Sequence, residues 1–322
     1  MAFHAAPIQK NARVDILLST YEGARFIEDQ LDSIIEQMDP GCRLLIRDDG
    51  SKDGTPELVE RYAAHSDGKI VLMKDGLERL RARGSFSRLL EASDADYVVL
   101  CDQDDIWLPG RISKPVERIR RLEQELGNDV PILVHTDLVV VDEELRTIAP
   151  SFCDYIHINP RRGASLNRLL VQNIVTGCAS TFNRALVNLA RPIPPQALMH
   201  DWWLGMIAAA LGRLEYLAEP TVLYRQHGSN NVGAFRWSLA TQYREARDLM
   251  RMPISQIIHD KNIQAKTFLE RFHKWLRPGQ RRALEAFMLI EQSNFMKRRG
   301  ILIRHGFFLN GWLRNLSWVL MS

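Results

Sequence analysis

Cysteine is scarce, with four in 322 residues. Cys42, Cys101, Cys153 and Cys178 are scattered without metal-ligand spacing. That excludes a disulfide framework and points to free thiols in a reducing compartment. Also missing is any run of about 18 apolar residues, so no segment reads as a membrane span. The opening MAFHAAPIQKNAR has no apolar core and does not read as a signal peptide, so a cytoplasmic location is expected. There is no internal repeat and no low-complexity tract. Net charge is only +3, but it is unevenly spread. The first 233 residues are acidic overall and the chain from Ala234 onward is strongly basic, which suggests a tail that meets an anionic surface. Hydrophobic content of 46% and charged content of 25% are ordinary for a globular protein, and the length allows a large core.

What is present alternates. Val14 to Leu18 reads as a strand, Ala24 to Gln37 as a helix with Phe26, Ile27, Leu31, Ile34 and Ile35 on one face, and Arg43 to Arg47 as a second strand. Thr55 to Ala64 reads as a helix with Thr55 as cap and Pro56 at its first position. Short strands at Ile70 to Met73 and Tyr97 to Leu100 flank a helical stretch over Phe86 to Ala92. Alternation of this kind predicts an α/β protein with a Rossmann-like, mostly parallel sheet flanked by helices. Further on, strands are expected at Pro131 to His135, at Leu138 to Asp142, and as a pair within Leu214 to Tyr224 broken by Pro220. His200 to Gly212 reads as an apolar helix. The basic tail reads as helices over Trp237 to Met252, Ile254 to Leu276, Gly279 to Arg299 and Leu302 to Leu320.

The stretch LCDQDDIWLPGR, Leu100 to Arg111, carries the clearest chemistry. Asp102, Asp104 and Asp105 follow an apolar strand, and ligands of open α/β sheets bind at the strands' C-terminal ends. Clustered carboxylates repel one another and want a cation; hard oxygen ligands suit Mg²⁺ or Mn²⁺. Read alone, the stretch serves equally as a solvated acidic turn. The loops after the first, second and fourth strands share one sheet edge, so Ser19, Tyr21, Asp49, Asp102 and Asp104 are predicted to converge there.

Five pieces then fall in a familiar order: Ser19-Thr20-Tyr21, Asp48-Asp49-Gly50-Ser51, Asp102-Gln103-Asp104-Asp105-Ile106-Trp107, His200-Asp201-Trp202-Trp203, and Tyr224-Arg225-Gln226-His227-Gly228 with Asn231. Over residues 12 to 233 the chain resembles family 2 glycosyltransferases of the GT-A fold, and DQDDIW and YRQH look most like the rhamnosyltransferase-type members that build bacterial surface polysaccharides. The resemblance implies a nucleotide-binding half over 12–106 and an acceptor half over 107–233; the helical region over 234–322 carries little of it and reads as a C-terminal appendage. It implies that Asp49 accepts the imide N–H of a uracil or thymine ring, while Asp48 stabilises its turn. Ser19 and Tyr21 would bound the base, and Glu22 would reach the ribose. Asp102 would lean toward the ribose, and Asp104 would hold Mg²⁺ or Mn²⁺ with His227 as a further contact to metal or diphosphate. Arg83 is one of four arginines (79, 81, 83, 88) available to the donor, although this segment departs from the Asn-X-Gly type usual in relatives. Small residues at Gly177 and Cys178 would let the donor sugar approach.

Asp201 is the expected catalytic base, because flanking tryptophans would desolvate it and raise its pKa; a helix cap is the alternative role. Trp202 and Trp203 read either as an acceptor-binding platform or as core residues. The expected activity is inverting transfer from a dTDP- or UDP-sugar, dTDP-rhamnose foremost, to a glycan or lipid-linked acceptor, with no nucleic-acid partner. The tail, with Trp312, Phe307, Phe308 and Trp318 among arginines, suits either a membrane interface or packing on the catalytic domain. Rival readings are a non-catalytic nucleotide-sugar-binding module and a nucleotidyltransferase; the latter wants a glycine-rich phosphate loop, which Ser19 to Gly23 does not supply.

Overall fold

Apolar runs at Val14–Thr20 (β1), Cys42–Asp48 (β2) and Tyr97–Cys101 (β4), with the short Ile70–Leu72 (β3), form a parallel four-stranded unit in the order β3-β2-β1-β4. In the computed structural model, residues 12–77, 79–228 and 254–321 are described. The helices between the strands are Ile27–Ile35 (α1), Thr55–Ala64 (α2) and Arg81–Ala92 (α3). The α2 range is as the sequence predicts, but Gly54 at φ 91° rather than Thr55 is its N-cap, with Pro56 in its first turn.

The sheet then turns mixed. Ile106–Trp107 (β5), Ser113–Leu126 (α4), Ile132–Val141 (β6), Thr147–Ala149 (β7), Ser180–Asn183 (β8), Arg184–Ala190 (α5), His200–Leu211 (α6) and Arg213–Arg225 (β9) follow. The order becomes β4-β8-β6-β9-β5, with β8 antiparallel to both its neighbours and β7 paired to β6. Two expected strand pairs are single strands. β6 runs through the residues between its two predicted halves, because β9 pairs parallel to it along its length. Pro220 does not end β9. It sits where the β6–β9 register shifts, a bulge that needs no N–H from the proline.

Alternating side chains build two cores. Val14, Ile16 and Leu18 pack with α1, α4 and Val59 of α2 on one face; Leu17, Val98 and Leu100 pack with α3, α5 and α6 on the other. The second core continues into the C-terminal helices Ile254–Phe272 (α7), Pro278–Leu289 (α8), Phe295–His305 (α9) and Trp312–Met321 (α10). Phe268 meets Trp203 of α6 edge-on and Phe272 lies tilted against it, so α7 of the basic tail packs into the same core as the sheet. The long helix expected over Gly279 to Arg299 is broken. Asn294 caps α9 by accepting from the Lys297 N–H, and its side chain stabilises a new start better than it tolerates a helix interior. Gly306, left-handed at φ 68°, then ends α9 and separates it from α10. The expected helix Trp237 to Met252 and Asn231 lie outside the described residues. Among the described residues no helix is long and apolar enough to cross a membrane.

Candidate active site

Strand register explains how distant acids meet. β1 pairs Thr20 with Asp48 and Leu18 with Cys101, so the loops after β1, β2 and β4 open on one edge. β5 pairs antiparallel with β9, Ile106 to Leu223, which turns the chain beyond Arg225 back across the DQDD segment. His227 Nε2 therefore lies 2.8 Å from Asp104 Oδ2. β8 pairs antiparallel with β4, Val99 to Thr181, and continuing that register by about three residues sets Cys178 opposite Asp102. Oxygens of Asp102 and Asp105 and the Cys178 sulfur lie within 4.8 Å of one another.

Two buried arginines hold this end in shape. Arg111 donates to the carbonyls of Leu100, Cys178 and Ser180 and to Thr181 Oγ1, at 2.9–3.2 Å, tying the DQDD turn to β8. Burial lowers its pKa to about 10. Arg225 gives its backbone N–H to Asp105 Oδ1 and its guanidinium to the Asp104 and Glu143 carbonyls and Asp29 Oδ2. Its guanidinium also lies 4.6 Å from the Phe26 ring centre. Even so, burial and then neighbouring acids raise the pKa of Asp102 and Asp105; for Asp102 these neighbours are Asp104 and Asp201. The Cys178 thiol hydrogen-bonds the side chains of Asp102 and Asp105, and Oδ2 of Asp105 is buried with no other partner. Carboxylates gathered this closely fit a divalent cation.

Asp201 stands in the first turn of α6, one position past its start; Met199 is the N-cap, so the carboxylate is not the cap. It is buried, and burial raises its pKa to about 6, offset in part by the Trp202 N–H, the Asn173 side chain and the Gly177 N–H. A β-carbon at Gly177 would stand 3.0 Å from His200 Nε2 and 3.7 Å from Asp201 Oδ2, so a larger residue there would press on the His200 ring and meet the carboxylate at ordinary contact. His200 stacks on Phe86 at 4.0 Å and stays neutral, its pKa lowered to about 3 by burial.

Residues 15–187 match the family model described as glycosyl transferase family 2. The chain belongs to that family. Among curated relatives it is 27% identical over 224 residues to a dTDP-rhamnosyl transferase, RfbG, of Shigella flexneri, covering 67% of this chain and 74% of the relative. It is 24% identical over 227 residues to an uncharacterized glycosyltransferase of Nostoc, covering 68% and 66%. With the mycobacterial protein Rv1520 the match spans 59% of the relative's length. Solved structures of similar fold include Staphylococcus aureus TarS in complex with UDP-GlcNAc, with TM-score 0.53, 14% identity, and 95% and 90% of the two chains covered. A mannosyltransferase of Pyrobaculum calidifontis in complex with GDP-Man and Mn²⁺ superposes with TM-score 0.51 at 18% identity, covering 100% and 87%. The mixed α/β sheet is thus of the GT-A type.

Within this family 2 chain the nucleotide-side residues are more internally committed than their sequence suggests. Asp49 is buried, with Oδ1 accepting from Arg47 and the Leu80 N–H and Oδ2 from the Arg81 N–H. A carboxylate oxygen accepts about two good bonds, which leaves room for one more donor on Oδ2. Glu22 accepts the Lys52 N–H on Oε1, a loop clamp that engages one oxygen of the carboxylate expected near the ribose. Asp48 accepts from the Gly50 and Ser51 N–H groups, the turn-stabilising role expected of it. Ser19 is half-buried at the end of β1. Tyr21 is 40% exposed, with the Arg79 guanidinium 4.9 Å from its ring centre and Arg79 Nη1 2.6 Å from its hydroxyl. Arg83 turns away from the donor loops and donates to the Ala197 carbonyl, 114 residues on.

The tryptophan pair also divides. Trp203 is 0% exposed against Phe268 and Phe272, so an acceptor sugar cannot stack on it. Trp202 is half-buried and gives its indole N–H to the Leu169 carbonyl.

Sequence reasoning missed the residues that tie the loops together. The Gln103 side chain accepts from the Tyr21 N–H and donates to the Tyr21 carbonyl, at 2.8 and 2.9 Å. This spans the base loop and the acidic loop, and nothing in the residue type announced it. Arg47 did carry a signal: an arginine inside an apolar strand must find partners, and it finds Asp49, Asp75, Ser85 and the Leu77 carbonyl.

Proposed function

We propose that the chain is an inverting, metal-dependent glycosyltransferase that moves L-rhamnose from dTDP-rhamnose, with UDP-sugars as the second choice of donor, to a hydroxyl of a growing surface or lipid-linked glycan. The observation that carries this reading is the meeting of a raised-pKa carboxylate, Asp201, with the acidic end of β4 in a family 2 fold. The rhamnosyl choice is supported by the relative whose name states that activity.

Asp201 accepts the proton of the acceptor hydroxyl as its oxygen bonds the anomeric carbon. The bond to the phosphate oxygen breaks on the opposite face, and its electron pair leaves with the nucleoside diphosphate. One displacement inverts the anomeric configuration. A pKa near 6 keeps Asp201 ionised at neutral pH yet more basic than an ordinary aspartate. Asp104 and His227, with Asp102 beside them, are the residues that would hold Mg²⁺ or Mn²⁺. The cation would offset the charge of the departing diphosphate. Gly177, whose N–H bonds the Asp201 carboxylate, would let the donor sugar approach the base closely. Tyr21 and Arg79 form an outer wall suited to a pyrimidine ring.

The test is a donor panel (dTDP-rhamnose, UDP-GlcNAc, GDP-mannose) with Mn²⁺, read by nucleoside diphosphate release and the product's anomeric NMR signal. Consumption of dTDP-rhamnose with inversion supports the reading. Binding without turnover over a broad acceptor set would favour the non-catalytic module.

The tail's surface favours a lipid-linked acceptor. On α9, Phe295, Met296 and Ile303 are exposed along one stripe with Lys297 and Arg304 nearby, and α10 exposes Leu316 and Leu320. Apolar residues among cations suit peripheral contact with an anionic membrane, which co-sedimentation with anionic against neutral vesicles would test.

A further inference from the structure

Asp201 receives hydrogen bonds from two kinds of donor. The Trp202 and Gly177 N–H groups belong to backbone fixed by the start of α6 and by the turn Gly177–Ala179. The Asn173 side chain, by contrast, comes from a stretch without regular structure, residues 172–176. Asn173 Oδ1 accepts from the Val175 N–H at 3.0 Å, which leaves its amide nitrogen to donate to the carboxylate. The residue before it, Gln172, turns to the C-terminal tail. Its Oε1 accepts from the backbone N–H of Asn310, between α9 and α10, at 2.7 Å. We propose, resting on the reading of Asp201 as the base, that this join is a positioning device: the tail, through Asn310 and Gln172, holds Asn173 where it orients the Asp201 carboxylate toward the acceptor hydroxyl.

Three observations support it. Asn310 is built in, only 6% exposed, and while its N–H serves Gln172 its Oδ1 accepts from the Asn159 N–H at 3.0 Å. One tail residue thus ties down both ends of segment 159–172. The tail is itself braced at this point: Asn315 Oδ1 accepts from the Leu309 N–H at 2.7 Å, and the His305 carbonyl accepts from Asn167 Nδ2 at 2.7 Å. Packing follows the same line. Val171 and Ile174, on either side of the polar pair, belong to one buried core with Leu302, Phe307 and Trp318 of the tail.

The consequence is kinetic. A base must meet one hydroxyl hydrogen at a set angle, and a misplacement of about 1 Å can cost on the order of 100-fold in rate. Gln172 and Asn310 touch neither donor nor acceptor in this scheme; they act through Asn173.

Two measurements on the full chain test it. Hydrogen exchange needs no substrate. Gln172→Met keeps the bulk and removes the acceptor oxygen, and should speed amide exchange over residues 171–178 at least about tenfold while β1 and β4 stay unchanged. Gln172→Glu keeps an acceptor and should exchange like the wild type. In sugar transfer, Gln172→Met should lower kcat about tenfold with donor KM nearly unchanged, and Gln172→Glu should restore it. In an Asn173→Ala background, Gln172→Met should cost nothing further, because the effect passes through Asn173. Unchanged exchange in Gln172→Met, an unchanged kcat beside an active wild type, or losses that add in the double variant overturn the proposal. A wild type that transfers no sugar counts instead against Asp201 as the base, and the exchange result still decides whether the tail holds the loop that cradles it.

Discussion

His227 Nε2 sits 2.8 Å from Asp104 Oδ2 across 123 residues of sequence, because β5 and β9 run antiparallel and fold the end of β9 over the acidic turn. His227 has 6% of its side chain exposed and Asp104 17%, so the pair is shielded yet reachable. His227→Ala is expected to weaken Mn²⁺-dependent activity by about 10- to 100-fold, partly recovered by raising Mn²⁺. Asp104→Ala is expected to cost at least about 100-fold in kcat, with no recovery. Metal titrations of activity separate the two; equal curves for both variants and the wild type would refute a shared metal role.

Asp201→Asn should abolish transfer and yet stabilise the fold. The folded pKa of about 6 lies above the ordinary 3.8, so the native state holds the extra proton between those values. That stability is fully present below pH 3.8 and is lost as pH rises through 6. An uncharged asparagine escapes the loss, gaining on the order of 2 kcal/mol at neutral pH. Thermal unfolding of both proteins at acid and neutral pH checks this: the melting-temperature difference should shrink on acidification.

The same carboxylate sets the activity profile. As a base it works only when ionised, so kcat/KM should rise tenfold per pH unit below about 6 and level off above it. A profile flat from pH 5 to 8 would remove Asp201 from the proton transfer.

Trp203→Ala should cost about 3–5 kcal/mol of stability, because it opens a cavity among Phe268 and Phe272. Trp202→Ala should cost less, since Trp202 is only half-buried. Chemical denaturation measures both, and the ranking matters more than the values.

Gly23→Ala places a β-carbon 2.4 Å from Gln103 Oε1. The expected cost is about 1–3 kcal/mol, largely relieved in Gly23→Ala/Gln103→Ala. A double-mutant cycle with no coupling would show that the two loops are not joined there.

The strands that carry the site were legible because each is a short apolar run ending in polar loop residues, and three such runs pairing in parallel must deliver their ends to one edge. That Asp49, Asp102 and Asp104 share one edge followed from that; the roles expected of them rest on the resemblance to family 2 glycosyltransferases. The tryptophans did not: α6 is apolar nearly all round, so periodicity could not say which ring faces the core, and α7, a partner some sixty residues away, decides it. Arg83 was one of several equivalent arginines until tertiary packing set the Ala197 carbonyl beside it. The clamp of Glu22 on the Lys52 N–H was hidden because it depends on loop backbone, where Glu22 takes φ 49°. The helix breaks at Asn294 and Gly306 carried their usual residues, but the apolar pattern ran across them and hid the stops.

Gln103 and Gly23 also constrain how this chain can diverge. Gln103 grips the Tyr21 backbone from a position where any side chain at residue 23 would collide with it. A lineage that gains a side chain at 23 must shorten residue 103 in the same step, or lose the clasp between its base loop and its acidic loop. Exchanging either loop alone for one with a side chain at 23 should therefore break the clasp, where exchanging both loops together can keep one.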